Sequence, residues 1–417
     1  MFRVFSGLWA LLLGMMLLQV GNGMQGTLLG IRGVLEGFST GQLSIVMSAY
    51  FVGFLFGSRM APEMIRRVGH VRVFAALGSM ISAVLILYPT IADPWAWSVG
   101  RVVIGFCFSG VYVTAESWLN NSATNATRGK ALSLYMIVQM VGIVMAQGLL
   151  VLADPAGYVL FVIPCVLVSL SFAPILLSVS PTPSFATTKP LSLLQILKIS
   201  PLGCVGMLLT GGVFAAQFGM AAIYGSEAGL SVGQISTFVA SFYVAAVVAQ
   251  YPLGWLSDRM DRRVLIAIVS MVTGIGAVIG MVLGDNFWFL LLAAWLVGGS
   301  SNPLYSLLIA YTNDFLDRDD MAAAAGGMVF INGFGAIAGP LMVGWMMGVM
   351  GPGGYFLYIA ILMFALVGYA VYRMTQRPTR VASPIDGLQV VMPYSSQMAP
   401  EFAQDLATDA AQDGKST

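Results

Sequence analysis

Twelve stretches of roughly 20 mostly apolar residues, each long enough to cross the hydrocarbon core of a bilayer as a helix, limit the fold more than any other feature. They lie at about 5–29, 42–61, 72–92, 96–118, 130–152, 158–179, 202–223, 234–256, 264–284, 287–311, 322–348 and 354–373. In hydrocarbon the backbone must satisfy its own hydrogen bonds, so such stretches fold as helices. Charged residues make up only 9% of the 417 positions, which fits this assignment; soluble domains carry about 25%. The breaks, such as IADPWA, ADPAGY, LGDNFW and MGPGGY, hold Gly, Pro, Asp and Asn and read as turns. The start, MFRVFSGLWALLLGMMLL, has the make-up of a signal peptide. Its apolar run continues past residue 28 without a small-residue cleavage site, so it is read as the first span.

Positive charge is distributed unevenly between the loops, and that sets an orientation. With the amino terminus inside, only Arg32 and Arg101 of the 19 Lys and Arg residues fall toward the outer face. Both termini are then cytoplasmic, as expected for a multi-pass protein of a bacterial inner membrane. The domains expected are a six-helix half over 1–179, a central cytoplasmic linker over 180–201, a second half over 202–373 and a mobile cytoplasmic tail over 374–417. Within the linker, LSLLQILKI reads as a short helix on the membrane surface.

The two halves can be compared after spans 2 and 8. The second copy runs Gly254-Trp255-Leu256-Ser257-Asp258-Arg259-Met260-Asp261-Arg262-Arg263. It resembles the G-x-L-x-D-R-x-G-R-R signature of the major facilitator superfamily. The first copy, with Arg66, Arg67, Gly69, His70 and Arg72, is degraded: Arg66 stands where the acidic residue belongs, while Arg67 and Gly69 fit. The resemblance covers residues 1–373. It implies an all-α membrane protein of twelve transmembrane helices in two pseudo-symmetric six-helix halves. Physically, a carboxylate in such a loop suits a positive helix amino terminus, and its arginines suit acids at neighbouring helix ends. Arg66, Arg67, Arg72, Glu116, Asp258, Arg259, Arg262, Arg263 and Asp314 therefore form a candidate gating set, with a plain positive-inside loop as the alternative. At a finer level, GNGMQGTLLGIR (21–32), AESWLN (115–120) and NPLYSLLIAYTND (302–314) resemble the YcaD-like branch. Facilitators of similar size are implicated in riboflavin uptake, so riboflavin is the sharpest substrate that the resemblance offers.

Span 4, RVVIGFCFSGVYVTAESWLN (101–120), places both signs of charge in one apolar helix. At about 100° per residue, Arg101, Gly105, Phe108, Ser109, Tyr112 and Glu116 share one face. At about 1.5 Å per residue, Arg101 and Glu116 are roughly 22 Å apart and do not pair. Arg101 with Gly105 resembles the R-x-x-x-G element of many facilitators, which implies proton coupling or substrate contact. An arginine snorkelling to the outer interface is the open alternative. Glu116 is expected to brace Arg66, Arg67 or Arg72, or else to be a protonatable coupling site.

Other polar side chains interrupt the apolar spans: Gln19, Asn22, Gln25, Tyr135, Gln139, Gln217, Asn302, Tyr305 and Asn332. Unpaired amides are costly in hydrocarbon, so each needs a partner, whether a neighbouring helix or a solute. With Arg101 and Tyr112 they form the candidate substrate cavity, a hydrogen-bonding set with aromatic walls. No Asp or Glu lies near the middle of a span, which argues against a site for a polycation or a deeply buried sodium ion. Span 5 lacks the Gly-Pro pair of drug/proton antiporters, which lowers the efflux reading. No stretch resembles HExxH, GxSxG or a Walker motif, so neither an enzyme nor an ATP-driven pump is supported. Cys107, Cys165 and Cys204 lack ligand-like spacing, and His70 is read as a solvated loop residue. The net charge of +1 argues against nucleic acid. The partners expected are a small-molecule substrate, the lipid bilayer and protons as coupling ion, with a monomeric chain and no cofactor. The function expected is secondary active or facilitative transport of a small organic solute, with riboflavin uptake as one form and proton-coupled export of a drug or metabolite as the alternative.

Overall fold

The computed structural model describes residues 2–122, 128–177, 192–316 and 318–376. Twelve of its helices are long and apolar enough to cross a membrane, and each matches one expected span. The first six are α1 (Phe2–Leu35), α2 (Thr40–Val68), α3 (His70–Leu87), α4 (Pro94–Ser122), α5 (Arg128–Leu149) and α6 (Val159–Leu176). The second six are α7 (Pro201–Glu227), α8 (Val232–Ser257), α9 (Arg262–Leu283), α10 (Phe287–Asn313), α11 (Arg318–Met350) and α12 (Gly354–Gln376). Side chains that occupy otherwise orphaned donors fix several helix starts. Ser39 with Gln42 and Ser231 with Gln234 form capping boxes, while Asp261 and Asn286 cap α9 and α10.

Two boundaries differ from expectation. The apolar run of the first span ends near residue 29, but α1 continues to Leu35. Arg32 near its end donates to Glu36 one turn on and to the Pro155 and Ala156 carbonyls, so its charge is satisfied in place. The second helix continues past Pro62 to Val68. A single residue, Gly69, then separates α2 from α3, at φ 85°. A side chain is rarely tolerated in that conformation, which explains the glycine of the degraded signature. The linker and tail expected at 180–201 and 374–417 fall largely outside the described residues. Inside the former, Leu193–Ile199 is a short helix with a Ser192–Gln195 capping box.

The interior is polar in places and the exterior is apolar. Phe56, Val99, Trp288, Trp345 and Val349 point outward and are more than half exposed, whereas Gln19, Gln139, Arg101 and Glu116 are wholly buried. A lipid solvent favours that arrangement. Within the first half, α2 and α4 approach at Gly105, where an added Cβ would lie 1.9 Å from the Tyr50 carbonyl oxygen. The second half repeats the contact between α8 and α10, where a Cβ at Gly298 would lie 2.4 Å from Phe242. The pseudo-symmetry therefore extends to the close contacts.

The halves meet along α2–α11, α5–α8 and α1–α7. Ser48 Oγ donates to the Ile337 carbonyl at 2.6 Å, Thr40 donates to Glu227, Gly30 packs on Ala222 and Ile223, and Gly344 packs on Ser44. These contacts lie toward the end of the bundle opposite the basic loops. At the basic end the ion pairs among described residues stay within a half. Arg66 and Arg67 bind Glu63 on their own helix, Arg263 binds Asp261, and Arg262 binds Asp314 between α9 and α10.

Candidate functional site

Helices α1, α4 and α5 assemble one continuous chain of hydrogen bonds that links neutral side chains to the Arg101 guanidinium. Gln19 donates to Gln139 at 3.1 Å and accepts from the Tyr112 hydroxyl at 2.6 Å. That hydroxyl accepts from Asn22 at 2.9 Å, and Asn22 accepts from Gln25 at 3.1 Å. Gln25 in turn accepts from Arg101 at 2.9 Å. One-turn spacing on α1 lets three amides face the same two neighbours, and Tyr112 serves as donor and acceptor at once. All members are buried. The Gln139 amide nitrogen has no partner, so the chain ends on an unused donor.

Arg101 does not snorkel. Its guanidinium is wholly buried, 4.7 Å over the Tyr50 ring, with one nitrogen on Gln25 and another 3.4 Å from the Met47 sulfur. Gly105 allows this, because α2 can approach closely enough to place Tyr50 beneath the cation. Tyr50 and Met47 belong to the site without having been predicted from sequence. Their partners lie on another helix, and nothing in α2 by itself marks them.

Glu116 is also wholly buried, and accepts from the Tyr135 hydroxyl at 3.2 Å. The pairing expected with Arg66, Arg67 or Arg72 does not form. The first two turn back to Glu63, one turn earlier on an exposed helix end, and Arg72 faces outward. His70 was expected in solvent but starts α3, is buried, and lies 3.1 Å from Ser117 Oγ. With Glu63 beside them, Arg66 and Arg67 need no partner deeper in the bundle.

The second half contributes a smaller cluster. Gln217 donates to Ser301 at 2.6 Å and accepts from Asn302 at 3.1 Å. The Asn302 carbonyl oxygen and the Tyr305 hydroxyl, one turn apart, are buried without partners. Gln217 sits in a π-helical segment, Ala216–Met220, which widens α7 at the site. Asn332 stands apart, its amide donating to the Met207 carbonyl on α7. It lines a cavity between α2, α7 and α11 walled by Tyr50, Phe51, Phe54, Phe214 and Phe218.

At the basic end, Arg262 binds the Asp314 carboxylate, the Ala310 carbonyl and Ser257, and ties α9 to the end of α10. Arg259 stacks on Trp255 at 4.2 Å, and Asp258 terminates α8. Among the described residues, Asp314 holds Arg262 and Asp261 holds Arg263 of the second signature copy. The signature pair is therefore a brace within one half in this conformation.

The family model described as Major Facilitator Superfamily matches residues 202–398, and that described as Sugar (and other) transporter matches residues 18–189. The uncharacterized MFS-type transporter YcaD of Escherichia fergusonii is 25% identical over 85% of this chain and 92% of its own length. Over most of its length the chain is similar to the major facilitator superfamily. A second superfamily relative, an uncharacterized MFS-type transporter of Yersinia pestis, is 26% identical over 81% of this chain and 88% of its own length. Among solved facilitators, the nucleoside transporter NupG has the same fold, with a TM-score of 0.73 at 15% identity, covering 88% of this chain and 99% of that one. The Escherichia coli fucose:proton symporter FucP aligns at a TM-score of 0.57 and 14% identity, over 89% of this chain and 99% of its own. The protein is a multi-pass membrane protein with the fold of these transporters.

Proposed function

We propose that the protein moves a small organic solute across the cytoplasmic membrane by alternating access, with the solute seated between the α1–α4–α5 amide chain and the Gln217–Asn302 cluster. The carrying observation is a set of unspent hydrogen-bonding atoms on both halves: Gln139 Nε2, Asn302 Oδ1 and the Tyr305 hydroxyl. A buried polar atom without a partner is costly. Three of them around the interface between two moving halves suit a solute that supplies the missing partners. The aromatic wall of Tyr50, Phe51, Phe54, Phe214 and Phe218 in the cavity between α2, α7 and α11 suits a flat apolar body.

Uptake is the proposed direction, with both termini cytoplasmic, as the charge asymmetry of the loops supports. Protons are the proposed coupling ion and Glu116 their carrier, because it is the only fully buried carboxylate among the described residues. Riboflavin, flat and edged with hydrogen-bonding groups, is the first solute to test. Cells lacking other routes are expected to accumulate labelled riboflavin when they express the protein. Accumulation no greater than in control cells sinks the riboflavin assignment. Export of a drug or metabolite in exchange for protons predicts the opposite movement in vesicles under an imposed proton gradient.

A further inference from the structure

Arg101 holds a full positive charge in the interior with no described carboxylate paired to it. Among the described residues it forms no salt bridge; the Tyr50 ring lies beneath it, and the Tyr88 ring packs against the neighbouring Gly100. Its acceptors are neutral or weak: the Gln25 amide oxygen, the Met47 thioether and the face of the Tyr50 ring. Its Nε–H has no partner at all. The Tyr88 hydroxyl, 3% exposed at the end of α3, is a second donor without a partner. An arginine kept only for structure would have found a carboxylate or several carbonyls, as Arg262 does with Asp314 and Ala310. A guanidinium offers parallel N–H donors that match two anionic oxygens, and the unspent Nε–H leaves that fork available.

We infer that the transported solute carries an anionic oxygen group, a carboxylate or a phosphate, which binds Arg101 with help from the Tyr88 hydroxyl. The inference rests on the transport reading above and narrows it from small organic solutes to organic anions, which sets neutral riboflavin aside in favour of anions such as its 5′-phosphate. Gln25 then has a double use. It holds the guanidinium in place without neutralising it, and its own amide passes the contact on to Asn22 and the centre of the site. A neutral solute would leave the buried charge uncompensated in every step of the cycle, whereas an anion compensates it on binding. Intramembrane ionisable groups are retained for uses of this kind.

The test uses the purified full chain in detergent and matched probes differing in charge: nicotinate and nicotinamide, benzoate and benzamide, riboflavin 5′-phosphate and riboflavin. The anionic member of at least one pair is expected to raise Tm, and its neutral partner to raise it less. Arg101→Gln is expected to weaken binding of that anion roughly 30-fold or more. The carboxylate and phosphate pairs distinguish the two kinds of anion. In addition, Arg101→Met without solute is expected to melt about 2–8 °C above the native chain, because a charge held for a ligand is replaced by an apolar chain of similar length. A lower Tm for Arg101→Met would mark the arginine as structural and overturn the inference. It is equally overturned if no anion stabilises more than its neutral partner, or if Arg101→Gln binds the anion as well as the native chain. Uptake of neutral riboflavin by Arg101→Gln at the native rate would also overturn it, yet leave the transport reading intact. Failure of every solute to move in vesicles would instead count against transport itself.

Discussion

Gly105→Ala should be among the most damaging single-methyl changes in the molecule. A Cβ there would lie 1.9 Å from the Tyr50 carbonyl oxygen, 2.8 Å from its carbon and 3.0 Å from the Phe54 nitrogen. Ordinary contact begins near 3.4 Å, so α2 and α4 must part by about 1.5 Å. The obstructing atoms are backbone and cannot rotate away, unlike the end of a side chain. Overpacking costs about 1–3 kcal/mol, and a backbone clash belongs near the upper figure, about 3 kcal/mol. At about 2–4 °C per kcal/mol for a unit the size of one half, Tm falls by roughly 6–12 °C. Separation of the helices also withdraws the Tyr50 ring from Arg101, so solute binding should weaken in the protein that remains folded. The measurement is a thermal melt in detergent beside Gly368→Ala, where the new methyl meets nothing within 4 Å and Tm should stay close to native. If the two variants melt alike, α2–α4 packing does not depend on Gly105 and the account of how Tyr50 reaches Arg101 is wrong.

Tyr112→Phe removes the hydroxyl that joins Gln19 to Asn22, taking the donor from the Gln19 amide oxygen and leaving the Asn22 nitrogen only its longer contact with Tyr50. About 1–3 kcal/mol of stability should be lost, with a larger loss in initial uptake rate than in membrane expression. Asp314→Ala leaves the guanidinium of Arg262, 3% exposed, without its carboxylate, and should cost about 3–5 kcal/mol in a thermal melt. Glu63→Ala breaks exposed, solvent-screened pairs and should leave Tm close to that of the native chain. Glu116→Gln keeps an acceptor for the Tyr135 hydroxyl but cannot ionise. Vesicles carrying it should pass solute downhill yet fail to accumulate it under a proton gradient, and native accumulation would remove Glu116 from the coupling step.

The spans were legible in the sequence because hydropathy and length settle them without long-range information. Residues 30–35 of α1 were missed because Gly30, Arg32 and Gly33 imitate a turn; what keeps them helical is a pair of carbonyls at 155 and 156. The amides of the site could be picked out as polar residues in apolar spans. Their connection could not, since Gln19 and Gln139 are 120 residues apart. Tyr50, Met47 and Tyr88 join the site only through what α4 brings to them. Charge in the loops was misjudged because the alternative partner, Glu63, is one helical turn away and needs no crossing between helices. His70 looked solvated beside four arginines, yet burial under α4 follows from starting a helix immediately after Gly69.

The π-helical segment of α7 has an effect beyond widening the helix at Gln217. Its extra residue shifts the angular phase of everything after it by about 100° relative to an unbroken α-helix. Ala222 and Ile223, which pack on Gly30, face α1 only because of that shift. The seal at that end of the bundle is therefore set by a residue count about one turn away. Deleting a single residue from Ala216–Met220 would rotate the outer part of α7 and turn Ala222 away from Gly30, while every residue of the seal itself remained unchanged.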